Sequence, residues 1–415
     1  MEEEFPENQS TKIKDKSWFS IIWLFVFWMI WLVIILVKLQ FDSVHYKTID
    51  GMYYQELAND FKNGKPMVLD GILNQKGEAF SPYPPGYPIM LSLVDPIADA
   101  VGIPVQVVIS GLFFLLVGLI WIRYFPLWPF LFLMFSDTML ELGCYKWSEF
   151  PFISLAILTA VLLSFLEIKP GKSGFIYLFL LFVFLFLIRY AAVFFVPFLF
   201  ILFLVNQKLN PLFSSRLKVL IASILSFLVI FGIWEFIQFG QLTGGDRYPN
   251  SENFLSLLVQ LGIESGNQFL LFKDWSGSSV ASFQFGFAAI ILVAIVFSTK
   301  IKNRSEDNNW EQKSPIQKRI CLNLFWLGCS YLLIMINTRF YFYFAESFDL
   351  RLLAPGFSLL LLSAFALLAF KFNVRHRWLI FFFIGFSLFF NLPKKQLFEI
   401  YQEKFWLHSG SIFGQ

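Results

Sequence analysis

The chain has 415 residues, of which 57% are hydrophobic, 20% aromatic and 15% charged, with a net charge of +3 and a mean hydropathy of +0.65. Soluble proteins carry roughly 25% charged residues, so this chain lacks the polar surface to coat a water-exposed fold, and disorder, a disulfide scaffold and nucleic-acid binding are excluded with it. Its apolar runs are continuous rather than alternating, which points to an all-α polytopic membrane protein and away from a β-barrel.

In chain order, residues 1–16 are polar and read as a cytoplasmic N-terminus. Residues 17–40 hold the first transmembrane helix, too long for a signal-peptide core and followed by no small-residue cleavage site. Residues 41–103 form a large outer loop rich in carboxylates and prolines. Transmembrane helices fill 104–238, with apolar spans at 104–124, 126–143, 149–167, 174–188, 190–206 and 216–238. A second outer loop covers 239–280. Residues 281–391 carry further spans at 281–298, 320–337, 352–370 and 376–391, with a cytoplasmic loop at 299–319, and 392–415 form an outer tail. The expected total is about eleven spans. Cys144, Cys321 and Cys329 read as packing residues, and His45, His376 and His408 have no metal-ligand spacing.

Charge tests this count. If 174–206 is two helices turning at Arg189 and Tyr190, then Arg123, Lys169, Lys172, Lys208, Arg216, Lys218, Lys318, Arg319 and Lys371 share one side. The positive-inside rule makes that side cytoplasmic. The polar segments 41–103, 239–280 and 338–350 then lie outside.

The outer loops hold the candidate chemistry. Thr48-Ile49-Asp50-Gly51-Met52-Tyr53-Tyr54 leads into a helix that starts near Tyr53 and ends at Gly64, with Asp50 just ahead of it. Asp50 is open to two roles there, a helix cap or a reactive carboxylate. Phe80-Ser81-Pro82-Tyr83-Pro84-Pro85-Gly86-Tyr87-Pro88 reads as a rigid turn back to the membrane. Glu149 begins an apolar span, where a carboxylate suits the helix dipole or a site. Asp137 is either a polar helix-end residue or a second acid. Arg189 and Arg351 lie beside apolar runs, where a charge either snorkels to the interface or serves a site.

In this order the elements resemble the GT-C membrane glycosyltransferases, closest to the branch of protein O-mannosyltransferases and aminoarabinose transferases. The resemblance rests on Asp50 after the first span, Tyr53 and Tyr54 in the loop helix, Tyr83-Pro84-Pro85-Gly86-Tyr87-Pro88, Ser148-Glu149-x-x-Phe152, Gly245-Asp246-Arg247, and Arg351-Leu352-Leu353-Ala354-Pro355, where the family usually has Tyr in place of Leu352. It implies a GT-C-like fold with a helical first periplasmic loop and a hexosyl- or pentosyltransferase that uses a polyprenyl-phosphate sugar donor. Asp50 would be the catalytic base and Glu149 a second catalytic residue. Arg351, Arg189 and Arg247 would bind the donor phosphate, and Tyr53, Tyr54, Tyr83 and Tyr87 would line the substrate loop. A divalent ion held by Asp50 and Glu149 is open, since some members use one and others do not. The implied partners are membrane lipids and a glycan, lipid or protein acceptor, at the inner (plasma) membrane with a periplasmic site. A transporter or flippase, or a non-catalytic scaffold of the same fold, are the alternatives.

Overall fold

The computed structural model describes residues 8–41, 46–65, 67–69, 78–79, 83–239, 248–269, 315–343 and 350–371. Arg247, the expected spans 281–298 and 376–391, most of the loop 299–319 and the tail 392–415 lie outside the described residues. What is described is helical, apart from two two-residue antiparallel pairs, β1 (Val68–Leu69) with β2 (Glu78–Ala79) and β3 (Tyr248–Pro249) with β4 (Phe342–Tyr343).

The helices are α1 (Asn8–Phe41), α2 (Ile49–Lys62), α3 (Gly86–Val101), α4 (Val105–Trp121), α5 (Trp128–Met134), α6 (Asp137–Cys144), α7 (Glu149–Ile168) and α8 (Lys172–Ile188). A 3-10 turn (Tyr190–Phe195) then enters α9 (Val196–Leu209), and α10 (Pro211–Phe239) and α11 (Phe254–Phe269) follow. The last two described helices are α12 (Pro315–Tyr341) and α13 (Leu350–Lys371). Among the described residues six helices are long and apolar enough to cross a membrane, or seven if α3 and α4, bent by 101°, form one broken span. This is the architecture of a multi-pass helical membrane protein. The apolar residues that stay exposed, such as Ile176, Leu180, Ile201, Val229 and Ile233, fall on the outer faces of α8, α9 and α10, where acyl chains rather than water would meet them.

Side-chain contacts fix the direction of each helix. In α1 and α4, which run antiparallel, the Trp28 indole donates to the Gly111 carbonyl at 3.0 Å, and a Cβ on Gly118 would meet Leu24. Helix α8 starts beside Leu166, which abuts Gly174, and ends at Arg189, beside Glu149. Helix α9 returns, because Asn210 just beyond it donates to the Glu167 carbonyl at 2.9 Å. The segment 174–206 is therefore two antiparallel pieces that reverse at Arg189, whose backbone is extended (φ −154°). Helix α10 climbs again, from Phe213 against Phe175 to Glu235 against Tyr190. Helix α12 rises from Arg319 at Glu167 to Arg339, and α13 descends from Arg351 at Glu149. Lys169, Lys172, Lys208, Arg216, Lys318 and Arg319 thus gather at one end of the bundle, with Glu149, Arg189 and Arg351 at the other.

Two expectations need correction. The run 126–143 is not one span but α5 and α6, each too short to cross. Ser136 separates them: its Oγ accepts from Met139 N and donates to the Leu133 carbonyl at 2.6 Å, so a serine inside an apolar run starts a new helix. The loop helix starts at Ile49, not near Tyr53. Its end is as expected: α2 stops at Lys62, and Gly64 takes the left-handed conformation (φ +67°) that favours glycine.

Candidate functional site

The N-cap of α2 is Thr48, whose Oγ1 accepts from Gly51 N at 3.1 Å. Asp50 is thereby released from capping. It sits in the first turn, where the helix dipole favours a carboxylate, and its side chain turns to other partners. Tyr83 Oη donates to Asp50 Oδ1 at 2.6 Å, and Arg351 Nη1 donates to Asp50 Oδ2. Burial, and then the bond to Asp50, push the Tyr83 phenol well above its ordinary range, so Tyr83 stays the donor of that pair.

Glu149 is the first residue of α7 and is completely buried. Its Oε1 accepts from Arg189 Nη1 and, at 3.0 Å, from Arg351 Nε. Its Oε2 has no hydrogen-bond partner among the described residues. Arg351 therefore bridges the two carboxylates, with Nη1 on Asp50 and Nε on Glu149. Among the described residues, two carboxylates and two guanidiniums balance to zero net charge. An isolated buried charge is prohibitively costly, so these groups are held in place by one another.

The surrounding residues fix the orientation of Arg351. Its guanidinium carbon lies 4.6 Å from the centroid of the Trp147 ring, a cation–π contact. The Trp147 indole donates to Thr48 Oγ1 at 2.9 Å, and its ring stacks on Tyr145 at 3.8 Å with planes 7° apart. Trp147 thus ties the cap of the Asp50 helix to the arginine that grips Asp50. No role for Trp147 beyond its place in the motif was legible from the sequence.

The tyrosines pack below this layer. Tyr54 Oη lies 3.3 Å from Ser148 Oγ, and the Tyr54 ring makes edge contacts with Tyr83 and Tyr87 at 5.1 and 4.9 Å. Burial, and then the nearby Glu149, push the Tyr54 phenol up to about 12. Tyr53 packs on Tyr83 at 5.7 Å, and its buried hydroxyl has no partner among the described residues. Gly86 explains the proline-rich turn: a Cβ there would lie 2.6 Å from the Leu187 carbonyl oxygen. Only glycine lets α3 begin against the backbone at the end of α8, one residue from Ile188 and two from Arg189.

The structure therefore brings together Asp50, Glu149, Arg189, Arg351, Tyr53, Tyr54, Tyr83 and Tyr87. Asp137 lies elsewhere, buried in the first turn of α6, which packs on α1 where Lys38 pairs with Glu141. A divalent ion shared by Asp50 and Glu149 fits this geometry poorly. Arg351 occupies the bridging position, Arg189 adds a second cation, and no group of three His, Cys, Asp or Glu side chains suited to a metal occurs among the described residues.

Several ion pairs escaped sequence reading, among them Lys38–Glu141, Arg319–Glu167 and Arg339–Glu252. Arg339, fully buried at the end of α12, donates through Nη2 to both oxygens of Glu252 at 2.9 Å, and Asn250 Nδ2 donates to the Arg339 carbonyl at 3.1 Å. The partners are 87 residues apart, and no local spacing announces them.

The fold and the cluster define a multi-pass helical membrane protein with an ion-paired polar site at one end of its bundle. Compared with protein-family models, curated proteins and solved structures, the chain matches none.

Proposed function

We propose that the chain is a GT-C-type membrane glycosyltransferase that moves a sugar from a polyprenyl-phosphate donor to an acceptor on the periplasmic face of the inner membrane. The observation that carries this reading is the convergence of Asp50, Glu149, Arg189 and Arg351 from four parts of the chain, with 301 residues between Asp50 and Arg351. A base, and cations suited to a departing phosphate, stand within one layer at the end of an apolar bundle. The gathering of the basic turns at the opposite end supports the orientation, since that end belongs in the cytoplasm.

In this reading Arg351 guards Asp50 until the donor arrives. The donor phosphate draws Arg351 and Arg189 onto its oxygens, because guanidinium grips phosphate bidentately. Asp50 is then free to take the proton of the acceptor hydroxyl. The acceptor oxygen forms a bond to the anomeric carbon while the bond from that carbon to the phosphate oxygen breaks. The electron pair leaves with the phosphate, whose charge the two arginines meet. One displacement inverts the anomeric carbon, and Glu149 holds both arginines in place throughout.

The test is transfer or hydrolysis by purified protein in nanodiscs with a panel of polyprenyl-phosphate sugars. Asp50→Asn should lower turnover by about 10²–10⁴-fold, the usual range for a lost general base, while donor binding persists. Equal turnover by wild type and Asp50→Asn would refute the assignment.

A further inference from the structure

At the opposite end of the bundle from Asp50, helices α7, α9 and α12 leave a cavity between them. Its volume is about 640 Å³, within the size range of small-molecule sites. The two long walls order its lining. Helix α9 descends and α12 rises, and they are pinned together where Ser330 Oγ donates to the Phe194 carbonyl at 2.6 Å. From that contact towards the basic end, Phe198, Ile201 and Leu202 of α9 come first, at the level of Trp326 and Leu322 of α12. Further along stand Asn206 and Asn210, opposite Lys318 and Arg319, with Glu167 from the end of α7.

The cavity is therefore apolar along most of its length and polar at one end. From Phe198 to Leu209 the helix α9 advances about 16 Å at 1.5 Å per residue, close to half of the roughly 30 Å of a bilayer's hydrocarbon core. Ile201, Val205 and Trp326 line this length and are each more than half exposed. The apolar part is thus open on its flank, where acyl chains would meet it.

The polar end carries a surplus of positive charge. Glu167 is the one carboxylate among the described lining residues, and it is satisfied from within: Arg319 Nη1 donates to one oxygen and Asn323 Nδ2 donates to the other at 2.7 Å. The Arg319 side chain is still 38% exposed, so it meets the cavity as well as the carboxylate. Lys318 is exposed and enters no hydrogen bond or ion pair among the described residues.

These features select the ligand. A soluble anion has no use for so long an apolar wall, and a hydrocarbon alone would leave Lys318 without a counter-charge. A zwitterionic headgroup would bring its own ammonium up to Lys318. We propose that this cavity holds an anionic phospholipid of the leaflet at the basic end, with its phosphate at Lys318 and Arg319 and one acyl chain along α9 towards Trp326. Basic pockets set between transmembrane helices at a headgroup level suit acidic lipids on general grounds. The inference stands apart from the proposed glycosyl transfer, because the cavity is remote from Asp50 and lipid retention is read without turnover.

Native mass spectrometry of the full chain released from detergent tests this, with dioleoyl phosphatidylglycerol as the anionic probe and dioleoyl phosphatidylcholine as the zwitterionic one. The expected result is retention of phosphatidylglycerol in preference to phosphatidylcholine. Lys318→Gln should weaken phosphatidylglycerol about fivefold, the effect of one basic side chain near an acidic headgroup. Ile201→Trp, which fills the apolar length, should weaken both lipids. Lys172→Gln, exposed at the same end but outside the lining, should change neither. Equal retention of the two lipids by wild type would overturn the proposal, as would an equal loss in Lys172→Gln and Lys318→Gln, which would mark diffuse surface charge rather than a seat. Unchanged binding in Ile201→Trp would also overturn it. Lys318 and Ile201 are both surface positions, and melting curves of each variant separate lost binding from lost folding.

Discussion

The buried pair between Glu149 and Arg189 gives the sharpest test of the site's energetics. Glu149 is fully buried and the Arg189 side chain is 15% exposed. Two unit charges about 4 Å apart at an effective dielectric of about 20 attract by about 4 kcal/mol. Replacing Glu149 by Gln removes the shared counter-charge of Arg189 and Arg351. Arg351 keeps Asp50, but Arg189 loses its carboxylate, and breaking a buried pair in this way costs about 3–5 kcal/mol. A double-mutant cycle with Glu149→Gln and Arg189→Met isolates the pair. The expected coupling is about 2–4 kcal/mol, against about 0.2–1 kcal/mol for an exposed pair. Unfolding in mixed micelles by SDS titration, followed by tryptophan fluorescence, measures it. A coupling below about 0.5 kcal/mol would refute the claim that the two residues form a buried, mutually dependent pair.

Further outcomes follow from neighbouring contacts. Gly86→Ala drives a methyl group onto the Leu187 backbone, and overpacking against backbone should cost about 1–3 kcal/mol, read as a lower melting temperature. Trp147→Ala removes the ring beneath Arg351 and the donor to Thr48; donor affinity should fall about tenfold, in line with 1–2 kcal/mol for a desolvated cation–π contact, and Trp147→Phe should recover part of it in a donor titration. The raised Tyr83 and Tyr54 phenols set an alkaline limit. Above about pH 10 the unfolded chain has lost protons that the folded chain retains, so stability falls as pH rises. Tyr83→Phe should flatten that fall in melting curves taken from pH 9 to 11, and an equally steep decline would show that Tyr83 does not contribute.

Hydrophobicity, charge and turn residues carried most of the helical plan. Continuous apolar runs located α1, α7, α9, α10, α12 and α13, because a membrane interior rewards length and apolarity directly. The basic turns located the reversal at Arg189, since only two antiparallel pieces keep them at one end. Gly64 marked the end of α2. What stayed hidden depended on competition between neighbours or on distance in the chain. Thr48 outcompeted Asp50 for the cap, which local preference ranks the other way or equal, and that exchange freed Asp50 for the site. Ser136 broke an apolar run that mean hydropathy reads as continuous. Asp50, Glu149, Arg189 and Arg351 could be ordered along the sequence, but their meeting through one bridging guanidinium depends on helix packing. The Arg339–Glu252 pair depends on it entirely.

The bridging arginine also dictates a schedule for biogenesis. Glu149 meets Arg189 only 40 residues later in the chain, whereas Asp50 waits 301 residues for Arg351. At about 5–20 residues per second of synthesis, that wait lasts about 15–60 s. Throughout it the first loop has left the ribosome with its carboxylate facing no guanidinium from α13. A nascent chain halted before residue 351 therefore inserts most of its spans while its polar centre stays open, and quality control would meet an intermediate that still lacks the late helix that locks its early loop.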